Sequence, residues 1–339
     1  MVTIKDVARI AGVSPSTVSR VIKDHDGISA ATKKKVRKIM EESGYAPNIA
    51  ARNLVTNQSN TIGLVIKSGM HEVNLNPFYS EVNLGVSEAC RKEGFSTLTT
   101  SATDDVSLLT EVKELISSRQ VDGFILLYSK EDDPIAAFLS AAGFPYVVIG
   151  KDIRNDREAI YVDNDNVQGA VSITELLIGK GYSKITMIVD NDVFAVARDR
   201  IRGFEMAMHE AGLSAMGRVV KCGDDPRSIS DMLKSLFEDG GPEALLTLDG
   251  VLNARIISHL YQMKIRIPAD VATATFSDSL LTKFAAPPQT VVDIFPEELG
   301  KEAGNEIITL IRDEDKLKRI ITVPTRIIER RSTQKEEGG

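Results

Sequence analysis

The chain has 339 residues, 42% of them hydrophobic, and a formal net charge of −7, too long for one ordinary domain and long enough to bury a sizeable core. Two cysteines, Cys90 and Cys222, without metal or redox spacing, and four unclustered histidines exclude a disulfide scaffold and point to no metal and no cofactor. No apolar run reaches membrane-spanning length and Met1–Ile22 is punctuated by charges, so neither an anchor nor an export signal is expected, and the cytoplasm is the expected compartment.

The charge is unevenly placed. Residues 1–56 hold ten Lys and Arg against five Asp and Glu, and the rest holds thirty-one against forty-three. A basic end on an acidic body is the footprint of a nucleic-acid partner.

The first predicted elements are two short helices. Thr3, with Asp6 three residues on, offers a side-chain cap and an acidic first turn, and Ile4, Val7, Ala8 and Ala11 share one helical face. Gly12 permits a tight turn, Val13 is an apolar plug, and Ser14-Pro15 makes an N-cap followed by proline at the first helical position. The second helix runs from about Pro15 to Ile22; Val18, Val21 and Ile22 face inward, leaving Ser16, Thr17, Ser19 and Arg20 outside, groups suited to phosphates and base edges. A helix-turn-helix of this spacing places its second helix in the major groove of DNA; a hairpin with no ligand is the alternative. Ser29 caps a third helix that runs to about Glu42 and carries Lys33, Lys34, Lys35, Arg37 and Lys38, with Gly44 as its stop.

Beyond residue 60 short apolar runs alternate with amphipathic helices, the rhythm of a parallel sheet. TIGLVI, FSTLTTSA, GFILL and YVVIG are the first strands, with helices near Phe78–Glu93, Leu108–Arg119 and Ile135–Ala142. IYVD, KITMIVD, VVKC, ALLTLD and VATATF form a second series, with helices near Asn166–Gly179, Arg200–Ala211, Ser228–Phe237 and Leu252–Gln262. The expected fold is therefore α/β: an all-α head followed by two doubly wound parallel-sheet lobes. Ligands of such lobes sit at the carboxyl ends of strands. Residues placed there are Asn76, Phe78 and Tyr79 after the first strand, Asp163, Asn164 and Asp165 after IYVD, Arg200, Asp249, Ser277 and Asp278. Carboxylates, amides and an arginine suit a polyhydroxylated ligand, although any one of them also reads as a cap or turn residue. There is no phosphate loop, nucleophile elbow or metal spacing, so no enzyme is expected.

TIKDVARIAGVSPSTVSRVI, then ISAATKKKVRKIMEESGYAPNIAARNL, then TIGLVI, resembles the lactose/galactose-repressor (LacI/GalR) family of bacterial transcription regulators over nearly the whole chain. The resemblance implies a repressor of sugar-utilisation genes, active as a homodimer on a pseudo-palindromic operator. It assigns DNA contacts to Thr3, Ser14, Pro15, Ser16, Thr17, Ser19 and Arg20, and to a hinge segment with Asn48, Ala51, Leu54 and Val55, Leu54 wedging into the central base step. It implies a head over 1–46, a hinge and linker over 47–60, a first lobe over 61–160 with 293–322, a second lobe over 161–290 with 323–332, and a tail over 333–339. The chain would cross between lobes near Tyr161, Thr290–Asp293 and Val323–Arg326. Arg200 would hold the effector, with Arg198 a lesser choice, and lobe closure would set hinge order and operator affinity. The tract TFSDSLLTKFAAPPQTVVDIFPEELGKEAG is similar to the maltose-operon branch, which implies a maltose-type saccharide; Ser277 and Arg255 depart from the commoner family pattern. The catabolite-control branch would place arginines near Asn305 and Glu306, which are not basic. A stand-alone sugar-binding protein, or a regulator answering to a purine or another metabolite, are the other readings.

Overall fold

The computed structural model describes residues 2–22, 24–45, 58–67, 76–153, 159–190, 192–223, 225–238, 240–313 and 315–334. They fall into two compact units divided after Ser59.

The first unit is helical: α1 Ile4–Ala11, α2 Pro15–Ile22 and α3 Ala30–Glu42. The start signals act as expected: Thr3 and Asp6 form a reciprocal capping box, and Gly12 ends α1 in the left-handed region at φ 67. Ser14 Oγ accepts from the Thr17 N–H at 3.1 Å, and Ser29 caps α3 by accepting from the Thr32 N–H. Val7, Ala8, Ala11, Val18, Val21 and Val36 close the core, flanked by Ile4, Val13, Ile22 and Tyr45. So small a core needs the loops tied as well, and Asp24 does this by pairing with both Lys33 and Arg37 of α3.

The second unit contains two six-stranded sheets. The first is built from β1 Thr61–Val65, β2 Ser96–Thr99, β3 Gly123–Leu126, β4 Tyr146–Ile149, β5 Ile160–Asn164 and β11 Ile320–Val323, in the order β2-β1-β3-β4-β5-β11, all parallel. Its helices are α4 Pro77–Lys92, α5 Asp105–Ser117, α6 Pro134–Ala141 and, arriving late in the chain, α12 Pro296–Arg312. The second sheet repeats the order as β7-β6-β8-β9-β10-β12, from β6 Ile185–Val189, β7 Arg218–Lys221, β8 Ala244–Thr247, β9 Ala272–Phe276, β10 Thr290–Asp293 and β12 Arg326–Ile328, the last antiparallel to β10. It carries α7 Asn166–Gly179, α8 Ala195–Glu210, α9 Pro226–Glu238, α10 Gly250–Gln262 and the short α11 Leu280–Lys283. Central strands are buried along their length, as sheets covered on both faces require.

Three expectations need correction. IYVD does not open the second series: β5 pairs with β4 and β11 in the first sheet, because Ile160 and Val162 belong to the first lobe's core. The first passage between sheets therefore falls after Asn164 rather than near Tyr161. The helix that carries Arg200 begins five residues earlier, at Ala195, after Phe194, which supplies no side-chain cap for a sequence reader to find. Finally, α12 was not anticipated as a helix, nor were β10, β11 and β12 as strands.

Two helix pairs are set by glycine. A Cβ on Gly85 of α4 would meet the Glu297 carbonyl oxygen of α12 at 1.9 Å, so α4 and α12 touch backbone to backbone. A Cβ on Gly203 of α8 would meet the Val167 carbonyl oxygen of α7 at 2.2 Å. That close approach brings Arg200, one turn before Gly203, against the start of α7. Among the described residues no helix is long and apolar enough to cross a membrane, and no group of His, Cys, Asp and Glu is arranged to hold a metal ion.

Candidate functional site

In the head, the exposed side of α2 carries Ser14, Pro15, Ser16 and Arg20, with Thr17 and Ser19 half-buried. Ser14 Oγ lies 2.7 Å from Ser16 Oγ and 2.9 Å from Thr17 Oγ1, so three hydroxyls cluster at a helix N-terminus, where partial positive charge and spare donors favour phosphate oxygens. Thr3 is exposed at the start of α1, with its hydroxyl 2.7 Å from Asp6. Of the basic run on α3, Lys33 and Arg37 serve Asp24, while Lys34 and Lys35 are exposed. Asn48, Ala51, Leu54 and Val55 lie outside the described residues.

In the body, the carboxyl ends of the two sheets meet. At one edge the Ala195 N–H donates to the Ser129 carbonyl at 3.2 Å, Lys130 bridges to Phe194, and Lys151 pairs with Asp199 at 2.8 Å. At the other edge two helix N-termini converge. Asn76 caps α4, its Oδ1 accepting from the Phe78 N–H, and its amide donates to Asp249 at 3.4 Å; Asp249 caps α10 by accepting from Val251 and Leu252. Phe78 packs against the cores of both lobes, and Tyr79, with ring centroids 5.5 Å apart, against the first.

Between these edges stands Arg200, 7% exposed. Its Nε donates to Asn166 Oδ1 at 3.2 Å, its Nη1 to the Leu248 carbonyl at 2.6 Å, and its plane stacks over Phe276 at 4.1 Å. Burial pulls the guanidinium down to about 10, against the opposing pull of Asp249 and Asp163, so it is charged at neutral pH. Asp163 accepts from the Asn164 N–H at 2.8 Å and the Asn166 amide at 3.0 Å. Burial pushes its carboxyl up to about 6, moderated by those hydrogen bonds and by Arg200.

Other expected contacts have different partners. Asn164 donates to the carbonyls of Ile294 and Val323 at 3.1 and 2.9 Å, stitching together the three places where the chain crosses between sheets. Asp165 caps α7. Asp278 is gripped by Arg330 at 2.7 Å and Lys283 at 3.3 Å, which fastens the C-terminal segment to the second lobe. Ser277 follows β9 in the left-handed region at φ 75, and its buried Oγ has no partner among the described residues. Sequence reading missed Asn166 and Phe276, which hold Arg200. The signal for Asn166 was its place three residues before Gly169 on the α7 face; for Phe276, an aromatic closing a strand of Ala and Thr.

Comparison with known proteins bears on both units. Residues 3–48 match the model of bacterial regulatory proteins of the lacI family, and residues 174–333 match the periplasmic binding protein-like domain. The HTH-type transcriptional regulator MalR of Staphylococcus xylosus is 42% identical over 334 residues, 98% of each chain. The chain belongs to the LacI family of bacterial regulatory proteins. A crystal structure of a probable maltose operon transcriptional repressor, malR, from Staphylococcus aureus superposes with a TM-score of 0.78 at 37% identity, covering 83% of this chain and all of that one. A complex of the transcriptional regulator CelR with cellobiose covers 98% of this chain and all of that one, with a TM-score of 0.74 at 27% identity. As a LacI-family member similar to MalR, the chain is a transcriptional repressor and not an enzyme.

Proposed function

We propose that this repressor binds a pseudo-palindromic operator as a homodimer in the cytoplasm, and that a maltose-type saccharide seated between the lobes sets its affinity for DNA. The observation that carries the ligand half is Arg200: a buried cation held by a neutral amide, a carbonyl and an aromatic face, 7% exposed. Among the described residues only Nε and Nη1 have acceptors, which leaves the Nη2 donor for a ligand oxygen. Around it stand Asn76, Asp249 and Ser277, a set of donors and acceptors fit for hydroxyls, with Phe78 and Tyr79 as apolar walls. Asn164, Asp165 and Asp278 then shape the cleft rather than touch the sugar. The names of the MalR relatives and the cellobiose complex of a CelR relative favour a saccharide.

On the DNA side, Pro15 and Ser16 read bases, Pro15 by apolar contact since it has no N–H; Thr3, Ser14, Thr17, Ser19 and Arg20 add base and phosphate contacts. The hinge positions Asn48, Ala51, Leu54 and Val55 complete the DNA face in this proposal. For the homodimer, Tyr261, Leu280 and Phe284 lie 83, 65 and 82% exposed along one groove of the second lobe with Ile257 and Leu281, an apolar patch that a second copy would cover.

The test selects operator DNA from a random pool with the full chain, then titrates maltose. A selected palindrome whose affinity maltose changes at least tenfold (~1.4 kcal/mol) is expected. A selected sequence indifferent to maltose rejects the saccharide, and failure of any sequence to be selected rejects the reader.

A further inference from the structure

We infer that Asp163 is the positioning residue for Arg200, fixing the guanidinium to the first crossover between the lobes through Asn166, so that ligand affinity depends on a carboxylate that does not touch the ligand. The inference deepens the reading of Arg200 as the ligand anchor and rests on it.

The warrant is the one-way polarity of a primary amide. Asn166 is 4% exposed, and its two ends face different groups: Nδ2 donates to Asp163 Oδ1 at 3.0 Å and to the Asn164 carbonyl at 3.3 Å, while Oδ1 accepts from Arg200 Nε at 3.2 Å. Arginine only donates and an ionised carboxylate only accepts. The carboxylate, the Asn164 carbonyl and the Arg200 N–H therefore agree on which end of Asn166 faces α8; the charged acceptor holds that amide most strongly, and the amide fixes where Nε points. Turned over, the amide would set NH₂ against N–H on one side and oxygen against oxygen on the other.

The relay begins where the lobes are joined. Asp163 is followed by Asn164, whose amide ties the Ile294 and Val323 carbonyls together. A change in the angle between lobes moves this junction, and through two hydrogen bonds it moves Arg200. The charged groups that bear on Asp163 both come from α8: Arg200 favours its ionised form and Asp199 opposes it. Asp249, on the far side, acts on Arg200 itself.

Protonation loosens the relay. The Arg200 N–H and the Asn164 carbonyl still set the amide orientation, but a neutral carboxyl accepts more weakly from the Asn166 Nδ2–H, so Asn166 is held to the crossover less firmly. Since the Asp163 carboxyl is pushed up to about 6 by burial, the relay is intact above that value and weakens as pH falls through it. The sign for folding is opposite: a carboxyl whose pKa is raised on folding contributes stability that is full below its ordinary value and lost as pH rises through about 6. Weaker ligand binding with an undiminished folding contribution from the same group separates the relay from acid unfolding.

The experiment follows the Arg200 Nε–H resonance of the full chain, assigned by its loss in Arg200→Lys, from about pH 7.5 to about pH 5. The wild-type resonance is expected to shift with a midpoint near 6 and to stay flat in Asp163→Asn, whose carboxamide oxygen still accepts from Asn166. Maltose affinity should fall on the order of tenfold over the same range in the wild type and be pH-independent in Asp163→Asn. A resonance that does not titrate, or titrates equally in Asp163→Asn, overturns the relay. Undiminished maltose affinity in Arg200→Lys, or no maltose binding by the wild type, overturns the anchor or the saccharide instead, and the resonance still decides the relay.

Discussion

The two lobes share one strand order, yet they treat a cation at the strand ends in opposite ways. In the first, Lys67 follows β1, and its ammonium pairs with Asp133 at 2.8 Å and Asp105 at 3.0 Å, both at helix starts. In the second, Arg200 has no carboxylate within ion-pair distance among the described residues and is held by neutral groups. Lys67 is neutralised inside its own lobe and locks α5 and α6 to β1. Arg200 keeps its charge for something that arrives. A buried cation with carboxylate partners is a structural pin, and one with neutral acceptors is a receptor.

The comparison is tested most strongly by removing each charge at similar shape. Lys67→Met leaves Asp133, 3% exposed, without its cation, and should lower unfolding stability by about 3–5 kcal/mol in urea denaturation. Arg200→Met should lower stability by at most about 1 kcal/mol while weakening maltose binding at least ~100-fold. Equal stability losses would break the distinction. Next comes Gly203→Ala, which sets a methyl against the Val167 carbonyl. We expect a loss of about 2–4 kcal/mol, with weaker maltose binding because α8 and Arg200 shift away from Asn166; unchanged calorimetric binding would show that the helix contact does not place the arginine.

Acid should separate the strand ends in turn. Burial raises the Asp105 carboxyl, but the hydrogen bond and charge of Lys67, helped by Lys130, hold it below its ordinary 3.8. Its contribution to stability is therefore present above that value and lost as pH falls through its lower folded value, the reverse of Asp163. Carboxyl-resolved NMR titration should find Asp105 below and Asp163 well above the ordinary aspartate, and an Asp105 that stays equally far below it in Lys67→Met would remove Lys67 as the cause. The smallest effect belongs to the half-exposed Lys151–Asp199 pair across the cleft. Lys151→Ala should change maltose affinity by no more than about twofold to fivefold, and a larger change would make that edge an energetic part of the site.

Much of this was legible in the sequence because local rules agree. Thr3, Asp6, Gly12 and Ser14 announce the head through caps and a turn that work within four residues. The strands of the first series are apolar runs bounded by turns, and seven of the body's helices could be placed from their periodicity. What was not legible depends on distant partners. The residues around Ile160 do not say which sheet they join; pairing with β4 on one side and with β11, far along the chain, on the other decides it. Asp278 reads as a strand-end group until Arg330 is brought to it by the C-terminal segment. Asn164 reads as a ligand amide until Ile294 and Val323 take both its hydrogens. The α12 helix meets α4 through Gly300 and Gly304, which carry no apolar signal, although Leu299, Ala303, Ile307 and Leu310 give it a readable apolar stripe.

The late arrival of α12 and β11 has a consequence for synthesis. The first lobe's sheet lacks its edge strand, and α4 lacks its backbone partner, until residues 296–323 have left the ribosome, after the helices and five of the six strands of the second lobe. At ordinary elongation rates that interval is on the order of ten seconds. Throughout it the Gly85 face of α4 is uncovered and Asn164 has no carbonyls to join. Neither lobe can finish before the other, since β11 and β12 emerge two residues apart. Both lobes of such a nascent chain are completed at one moment, when β11 and β12 emerge together.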